Sequence, residues 1–277
     1  MNLSGKSTKI LIAVFFVVLI PFTKMAHVHA EADISLVDKL TIITTTSPIP
    51  SNPGTEMLKK TQESLFQVAA LKECKKIIVF DGVPPQQRYR ALAYELYIQN
   101  VERLVRENPI FSNTTLVVNR EFKHLANSLR EAMKLVDTPY VFVHQHDFVL
   151  TRPFDAINLI KSMDENVNLK FIRFNRFYNE PNWWDGPIDD YIAGGSYVPL
   201  LRTFGWSDND HIARVDYYRD FVFPKVTWGG AMEWFLHDPV KIQMDHLAYG
   251  TYLYGTYKEA PYLYHLDGKY FSLISPQ

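Results

Sequence analysis

Three side chains near the middle of this 277-residue chain can bind a metal ion, namely those of His144, His146 and Asp147. They follow directly on residues 140–143, Tyr-Val-Phe-Val, an apolar run that is typical of a buried strand. Burying polar groups costs free energy unless they are paired or bind a ligand. A polar cluster at the end of a core strand therefore usually has a functional role. Ligands of open α/β sheets bind just beyond the carboxyl ends of the strands. The segment therefore predicts a ligand site at the end of this strand.

The residue types in this segment favour a particular group of ions. Imidazole and carboxylate together suit Mn²⁺-like divalent ions, and histidine shifts the preference away from Mg²⁺. Alternate residues of a strand share a face, so His144 and His146 can point to the same side if the strand extends that far. The alternative is that His144 only hydrogen-bonds a neighbouring carbonyl group. We expect a divalent cation beside Asp147, with Mn²⁺ as the first choice and Mg²⁺ as the second.

The first half of the chain alternates apolar runs with segments of helical periodicity. Strands are predicted at residues 40–44, 76–80, 115–118 and 140–143, and helices at 55–71, after 84–85, and at 122–136. Such alternation implies parallel strand pairing with right-handed crossovers. After residue 150 the pattern is less regular, with one strand predicted at 171–174. We expect a single domain over residues 39–277, with a nucleotide-type half (39–150) and an acceptor-type half (151–277).

Composition narrows the function classes. The 47% of hydrophobic and 21% of charged residues are ordinary for a globular protein with a sizeable core. The formal net charge of −1 gives no support for a nucleic-acid partner, for which a basic excess is expected. Cys74 is the only cysteine, so an internal disulfide is impossible, which suits a lumenal enzyme better than a small extracellular domain.

The N-terminus has the pattern of a targeting segment. Lys6 and Lys9 precede an apolar run at residues 10–22, and small residues at 28–30 offer a signal-peptidase site. The run of about 13 residues is shorter than the roughly 20 that span a bilayer, so a cleaved signal peptide is favoured over a signal anchor. We expect residues 1–30 to be this signal or membrane tether and residues 31–38 to be a linker. The domain would then enter the lumen of the secretory pathway, in the ER or Golgi.

The stretch 119–150 resembles the family 2 glycosyltransferases and their relatives with the GT-A fold. Those proteins carry an Asn-rich helix, a strand and an acidic Asp-x-Asp-type turn, which correspond here to residues 125–133, 140–143 and 144–147. The first strand with its Thr/Ser/Pro loop, and the second strand ending in Asp81, also look like the family's uridine-binding half. The turn departs from the family pattern, because His-Gln-His and a single Asp stand where two or three carboxylates are usual. The identity of the metal, and whether one is required, are therefore open.

The resemblance implies a fold and an activity. The fold would be a GT-A, Rossmann-like α/β domain with a mostly parallel central sheet, flanking helices and a less regular acceptor half. The activity would be sugar transfer from a nucleotide sugar, with a UDP-sugar favoured, to a glycan, glycoprotein or glycolipid acceptor, with inversion of configuration. It also implies a further metal ligand near the C-terminus, for which His265 is the candidate and His246 the reserve. The alternative is a core role, because a lone histidine among aromatic residues is more often a core residue.

An inverting transfer needs a carboxylate that takes the proton of the acceptor hydroxyl. Glu233 is our candidate, because residues 228–233 resemble the loop-to-helix segment that carries the family's catalytic acidic residue. Gly229 and Gly230 would allow the backbone to approach a sugar closely. The alternatives are that Glu233 is a solvated residue at a helix start, or that Asp189 or Asp190 is the base.

Donor and acceptor candidates follow from position along the chain. Thr46, Ser47 and Asp81 come at the ends of the first two strands, where Asp81 can accept from a uracil N–H or a ribose hydroxyl. The pair Asp81-Gly82 is equally a common turn. Asn127 and His146 are further candidates for binding the nucleotide sugar. The alternative for Asn127 is that it only hydrogen-bonds within its helix. The candidates for stacking on acceptor sugars are Trp183, Trp184 and Trp234. The alternative is that these tryptophans fill the hydrophobic core.

Two other function classes remain open from the residues alone. A metal-dependent hydrolase also uses His-x-His at a strand end, but in amidohydrolase barrels the pair usually opens the domain, whereas here it follows three strands. In the metallo-β-lactamase pattern one residue separates the second histidine from the aspartate, whereas His146 and Asp147 are adjacent. The third class is a non-catalytic carbohydrate-binding protein on the same fold.

Overall fold

A nine-stranded mixed β-sheet forms the centre of the fold in the computed structural model. The structure describes residues 35–181, 186–192, 196–227 and 230–266, and only the backbone of residues 188–192. The strands are β1 Leu40–Thr46, β2 Lys75–Phe80, β3 Thr114–Val118, β4 Tyr140–Gln145, β5 Phe148–Leu150, β6 Phe171–Arg173, β7 Pro187–Ile192, β8 Leu200–Thr203, β9 His211–Arg214, β10 Thr251–Tyr254 and β11 Leu263–His265. The longer helices are α1 Glu56–Leu65, α2 Ala91–Glu107, α3 His124–Met133 and α4 Ala156–Glu165.

Short helices fill the second half of the chain. They are α5 Val215–Tyr217, a π-helix at Tyr218–Val222, α6 Phe223–Lys225, α7 Glu233–Leu236, α8 Pro239–Met244 and α9 His246–Tyr249. Single turns of 3₁₀-helix lie at Leu36–Asp38, Ala69–Leu71 and Pro109–Phe111, and a longer one at Pro85–Arg90. Within the described ranges, none of these helices combines the length and apolar character needed to cross a bilayer.

Some predicted features lie outside the described residues. They are the signal or tether at residues 1–30, most of the linker, the C-terminal residues after 266, and the loop candidates Trp183, Trp184 and Gly229. These remain predictions.

Strand order and direction define the topology of the large sheet. The order is β3-β2-β1-β4-β9-β6-β10-β8-β7, and the first four strands are mutually parallel. β9 is antiparallel to both β4 and β6, β10 is parallel to β6, and β8 is antiparallel to both β10 and β7. Only β8 and β9 therefore point against the other seven of the nine strands. The predicted Rossmann-like α/β architecture, with a mostly parallel central sheet, flanking helices and a less regular second half, is confirmed.

Two strands extend further than predicted, and one helix ends earlier. The strand predicted at 40–44 continues to Thr46, and the strand predicted at 140–143 continues to Gln145. Polar residues at these two strand ends thus belong to the sheet because β1 and β4 keep pairing there, Thr45 opposite Gln145. The helix predicted at 55–71 ends at Leu65, and Val68 and Leu71 stay buried in the turns that follow.

Alternate residues of β4 face opposite sides of the sheet, as strand geometry requires. Tyr140 and Phe142 pack in a cluster with residues of α1 and α4, whereas Val141 and Val143 pack in a second cluster with residues of α3. An apolar run that is buried on both faces is typical of a parallel strand covered by helices. His144 continues the face of Phe142, and the two ring centroids lie 5.4 Å apart.

A buried pair of hydrogen-bonded side chains joins β4 to the segment before β9. The side chains of His144 and Asp210 are both fully buried, and His144 Nδ1 bonds Asp210 Oδ2. Asp210 Oδ1 accepts from the backbone N–H of Gln145 at 2.8 Å. Burial raises the pKa of Asp210, and the imidazole of His144 opposes that shift. His144 Nε2 lies 3.4 Å from the Thr61 carbonyl oxygen, so both ring nitrogens have partners.

We predict that His144→Ala costs about 3–5 kcal/mol of unfolding free energy, because it leaves the buried Asp210 carboxyl without its partner. Urea denaturation monitored by circular dichroism measures this loss. The control is Lys39→Met, which breaks the half-exposed pair Lys39–Asp164 of 3.0 Å and should cost less than about 1 kcal/mol. Equal, small losses in both variants would contradict the prediction.

Candidate functional site

A cavity of about 310 Å³ opens at the carboxyl ends of β1, β2 and β4. Its polar wall includes Thr46 and Ser47 at the end of β1, Asp81 after β2, and Gln145 and His146 at the end of β4. This is the position at which parallel α/β sheets bind ligands. A wider hollow of about 500 Å³ lies near the amino ends of β2 and β3, away from these side chains.

Asp81 is held in place by two backbone donors. Its Oδ1 accepts from the N–H groups of Gly82 and Lys123, each at 2.8 Å, and the residue is buried. These bonds tie the end of β2 to the turn before α3. A Cβ at Gly82 would lie 2.1 Å from the carbonyl carbon of Glu121, so the close approach of the two segments requires glycine.

The turn before α3 supplies the aromatic wall of the cavity. Phe122 and His124 both line it, and their ring centroids lie 4.0 Å apart. His124 has a φ of 66°, a left-handed conformation that is uncommon for residues other than glycine. Backbone strain of this kind is often found at ligand sites. Val79 and Leu125 add apolar surface to the same wall.

Thr46 is fixed from the side of α2. Its hydroxyl lies 3.2 Å from the hydroxyl of Tyr97, and its carbonyl oxygen accepts from the Tyr94 hydroxyl at 3.4 Å. Burial raises the pKa of Tyr97 to about 12, so this phenol stays neutral. The β1 end of the cavity is therefore a rigid, uncharged surface of hydroxyl groups.

His146 presents an unused ring nitrogen. Its Nδ1 donates to the Thr45 carbonyl oxygen at 3.1 Å. Nε2 is buried and has no hydrogen-bond partner. Metal-binding histidines are usually oriented in this way, through a hydrogen bond made by the other ring nitrogen.

Asp147 likewise has one carboxylate oxygen with a hydrogen-bond partner and one without. Its Oδ2 accepts from His265 Nε2 at 2.8 Å, whereas Oδ1 is buried without a hydrogen-bond partner. Burial tends to raise the pKa of Asp147, but the hydrogen bond from His265 and the nearby His146 outweigh burial and leave that pKa below its usual range. Phe148 stacks on His265 with centroids 4.8 Å apart, which fixes the ring.

Of the four predicted metal ligands, the structure brings His265 into contact with Asp147, which His146 directly precedes in the chain. His144 instead points into the core toward Asp210, so its role as a ligand is corrected to a structural one. Within residues 35–266, where described, no group of three or more His, Cys, Asp or Glu side chains is arranged to hold an ion alone. Two unpartnered ligand atoms suit a cation that takes its other ligands from a bound phosphate.

Glu233 begins α7 and is held by the segment before β9. Its Oε1 accepts from the Ser207 hydroxyl and, at 3.0 Å, from the backbone N–H of Asp208. Gly230 and Ala231, which lead into α7, line the cavity. The predicted base is thus positioned a few residues from the wall that a ligand would touch.

The remaining predicted residues lie in varied surroundings. The Asn127 side chain accepts from Arg130 within α3 and is not part of the cavity wall. His246 bonds the Thr251 carbonyl oxygen at 3.0 Å and is buried away from the cavity. Trp234, next to Glu233 in the chain, is 83% exposed.

Sequence reasoning missed several residues of this site. No pattern marked Gln145, although it lies inside the His-Gln-His-Asp turn, and none marked Asp208. Phe122 was assigned only to a helix face, and His124 had no signal, since its strained backbone depends on the contact between Gly82 and residue 121.

Comparisons with known proteins give likenesses of structure only. No protein-family model and no curated protein sequence matches the chain. A mannosyltransferase, PcManGT from Pyrobaculum calidifontis in complex with GDP-Man and Mn²⁺, aligns with 50% of this chain and 35% of its own at 12% identity and a TM-score of 0.36. S. aureus TarS aligns with 82% of this chain and 36% of its own at 13% identity and a TM-score of 0.47.

The fragment TarS 1–349 in complex with UDP gives 13% identity, a TM-score of 0.47, and coverage of 82% of this chain and 60% of its own. The chain thus spans between about a third and three fifths of the length of these solved structures. Likeness at TM-scores below 0.5 does not assign an activity, so the function is argued from the site.

We predict that Gly82→Ala destabilises the fold by about 1–3 kcal/mol, because its Cβ would overlap the backbone at residues 121–122. The matched control is Gly230→Ala, whose Cβ would meet nothing closer than Trp234 Cε3 at 3.7 Å. Thermal unfolding of both variants distinguishes them, and a Gly82→Ala midpoint equal to that of the control would refute the steric account.

Proposed function

We propose that this chain is a glycosyltransferase that moves a sugar from a nucleotide sugar, a UDP-sugar by preference, to a glycan, glycoprotein or glycolipid. The observation that carries the proposal is the shared cavity. The ends of β1, β2 and β4 form one wall, and the loop that leads to Glu233 forms another. A donor bound there would have its leaving group near Asp147 and its reacting carbon toward Glu233.

The nucleoside would occupy the part of the cavity between Phe122 and Asp81. An apolar wall with a few fixed polar groups is what a base and a ribose require. Asp81 offers a carboxylate whose orientation is set by two backbone N–H groups, so it can accept from a uracil N–H or a ribose hydroxyl. Thr46 and Ser47 would meet the nucleotide from the end of β1.

A divalent cation would be held by Asp147 Oδ1 and His146 Nε2, with His265 orienting the Asp147 carboxylate. Both ligand atoms are buried and lack partners, which is costly unless something binds them. Such an ion acts as a Lewis acid that stabilises the charge of a departing diphosphate. The mixed imidazole and carboxylate set favours Mn²⁺, with Mg²⁺ as the alternative.

Glu233 would be the general base. The acceptor oxygen attacks the anomeric carbon, the bond from that carbon to the diphosphate oxygen breaks with its electron pair, and the acceptor proton passes to the Glu233 carboxylate. A single displacement of this kind inverts the anomeric configuration. The exposed ring of Trp234 beside Glu233 offers a stacking surface for an acceptor sugar.

The hydrolase alternative is less well supported. It needs His144 and His146 to bind one metal, whereas His144 is paired with the fully buried Asp210.

Because a signal or tether is predicted at residues 1–30, the transferase is proposed to act in the secretory pathway.

We expect UDP to bind the wild-type protein more tightly in the presence of Mn²⁺, and Asp147→Ala to lose that enhancement. Isothermal titration with and without Mn²⁺ measures both affinities, and circular dichroism checks the fold. The control is Asp137→Ala, which removes an exposed carboxylate at the opposite end of β4. If the affinity of the wild type for UDP is the same with and without Mn²⁺, the role of the metal is contradicted. If UDP does not bind at all, the proposed function is contradicted.

Glu233→Gln should leave the affinity for UDP nearly unchanged and lower the transfer rate by roughly 10²–10⁴-fold, because it removes only the proton acceptor. Transfer assays over a panel of nucleotide sugars measure the rate. The control is Glu102→Gln on the exposed face of α2. An unaffected rate in Glu233→Gln would assign the base to another residue.

A further inference from the structure

The turn that leads into β3 carries a sequence pattern that the donor cavity does not use. Asn113-Thr114-Thr115 has an asparagine, a residue other than proline and a threonine, which is the acceptor pattern for N-linked oligosaccharides. The other match in the chain, Asn2-Leu3-Ser4, lies in the signal predicted at residues 1–30. A short pattern of this kind also occurs by chance, so its surroundings in the fold decide whether a glycan fits there.

Asn113 is held on the surface by its backbone. The residue is exposed, and its φ of 56° is a left-handed conformation that asparagine adopts more readily than most residues. Its carbonyl oxygen accepts from the backbone N–H of Lys76 at 2.8 Å, which fixes the turn against β2. The side chain therefore starts from a defined position that solvent can reach.

The side-chain nitrogen of Asn113 has a hydrogen to spare. Within the described residues, Nδ2 donates one hydrogen bond, to the carbonyl oxygen of Glu73 at 3.3 Å. An amide nitrogen carries two hydrogens, and attachment of a sugar replaces one of them. A glycosylated Asn113 can therefore keep its bond to Glu73, and the fold need not change.

Space for the first sugars lies beside this nitrogen. Asn113 and Thr115 line the hollow of about 500 Å³ near the amino ends of β2 and β3. The donor cavity lies at the opposite ends of these parallel strands, so a glycan in the hollow would leave it free.

The same turn begins an outer strand of the sheet. Among the described residues, β3 pairs on one side only, with β2. An outer strand presents unpaired backbone groups on which a strand of another chain can pair, and proteins usually protect such strands. A glycan at the start of β3 would hinder that pairing.

We propose that Asn113 carries an N-linked oligosaccharide that shields the outer edge of β3. In this step Nδ2 forms a bond to the anomeric carbon of an oligosaccharide carried on a lipid diphosphate. The bond from that carbon to the diphosphate oxygen breaks with its electron pair, and one Nδ2 proton leaves to a base. The host's oligosaccharide-transferring enzyme of the ER lumen supplies the donor. The site depends on the proposed secretory location and is independent of the sugar transfer proposed for this chain.

The test uses the full chain, made with its N-terminal segment in a eukaryotic secretory host. Peptide N-glycosidase should increase its electrophoretic mobility by one step and convert Asn113 to aspartate, which peptide mass spectrometry identifies. Asn113→Asp, which tolerates the left-handed backbone, and Thr115→Ala should both lose this step. The controls Thr115→Ser and Thr114→Ala preserve the acceptor pattern and should keep it.

Unchanged mobility of the wild type after digestion would overturn the inference. A step that persists in Asn113→Asp would assign the glycan to Asn2 and would also overturn it. Light scattering at equal concentration should show more association for Asn113→Asp than for the glycosylated wild type, and equal association would overturn the shielding role. UDP affinity should be the same in both proteins, because Asn113 lies at the far ends of the strands. If neither protein binds UDP while the mobility step is present, the proposed transferase function fails and the glycosylation site stands.

Discussion

The buried contact between His144 and Asp210 is the constraint on which the rest of the site depends. It fastens the tip of β4 to the segment before β9, in a place where neither side chain is exposed. Because that segment also carries Ser207 and Asp208, the same contact sets the position of Glu233. A pair of this kind need not add net stability, since the cost of burying both groups offsets their attraction. Its value here is geometric, because removing either partner would release that segment from β4.

The site joins two parts of the chain that are far apart in sequence. Parallel strands place their carboxyl ends at one edge of the sheet, and this brings Thr46, Asp81 and His146 to one cavity. The second half adds the loop at Gly230 and the strand β11, whose His265 reaches Asp147 by pairing with β5. Residues 39–150 are regular and the described residues after 150 are less so, because the latter carry loops across the sheet edge.

The sequence predicted much of the first half because the signals there are local. Apolar runs and the polar residues that follow them located β1, β2 and β4 and the chemistry at their ends. The prediction of His144 as a metal ligand was wrong, because strand alternation cannot show that its partner, Asp210, lies 66 positions away. Asp208 was missed for the same reason, because its contact with Glu233 joins residues that are far apart in the sequence. The Phe122 and His124 wall depends on a glycine contact that no periodicity reveals.

Three aspartates of this region show how surroundings divide one residue type among different tasks. Asp210 is fully buried against an imidazole, so it serves as a fixed anchor. Asp147 has a histidine on one oxygen and nothing on the other, and its lowered pKa keeps it a carboxylate that is available to a cation. Asp208 donates its backbone N–H to Glu233, and burial, followed by the neighbouring Glu233, raises the pKa of its carboxyl group. The three carboxyl groups thus differ through the partners that each one meets, which is a property of the fold rather than of the residue.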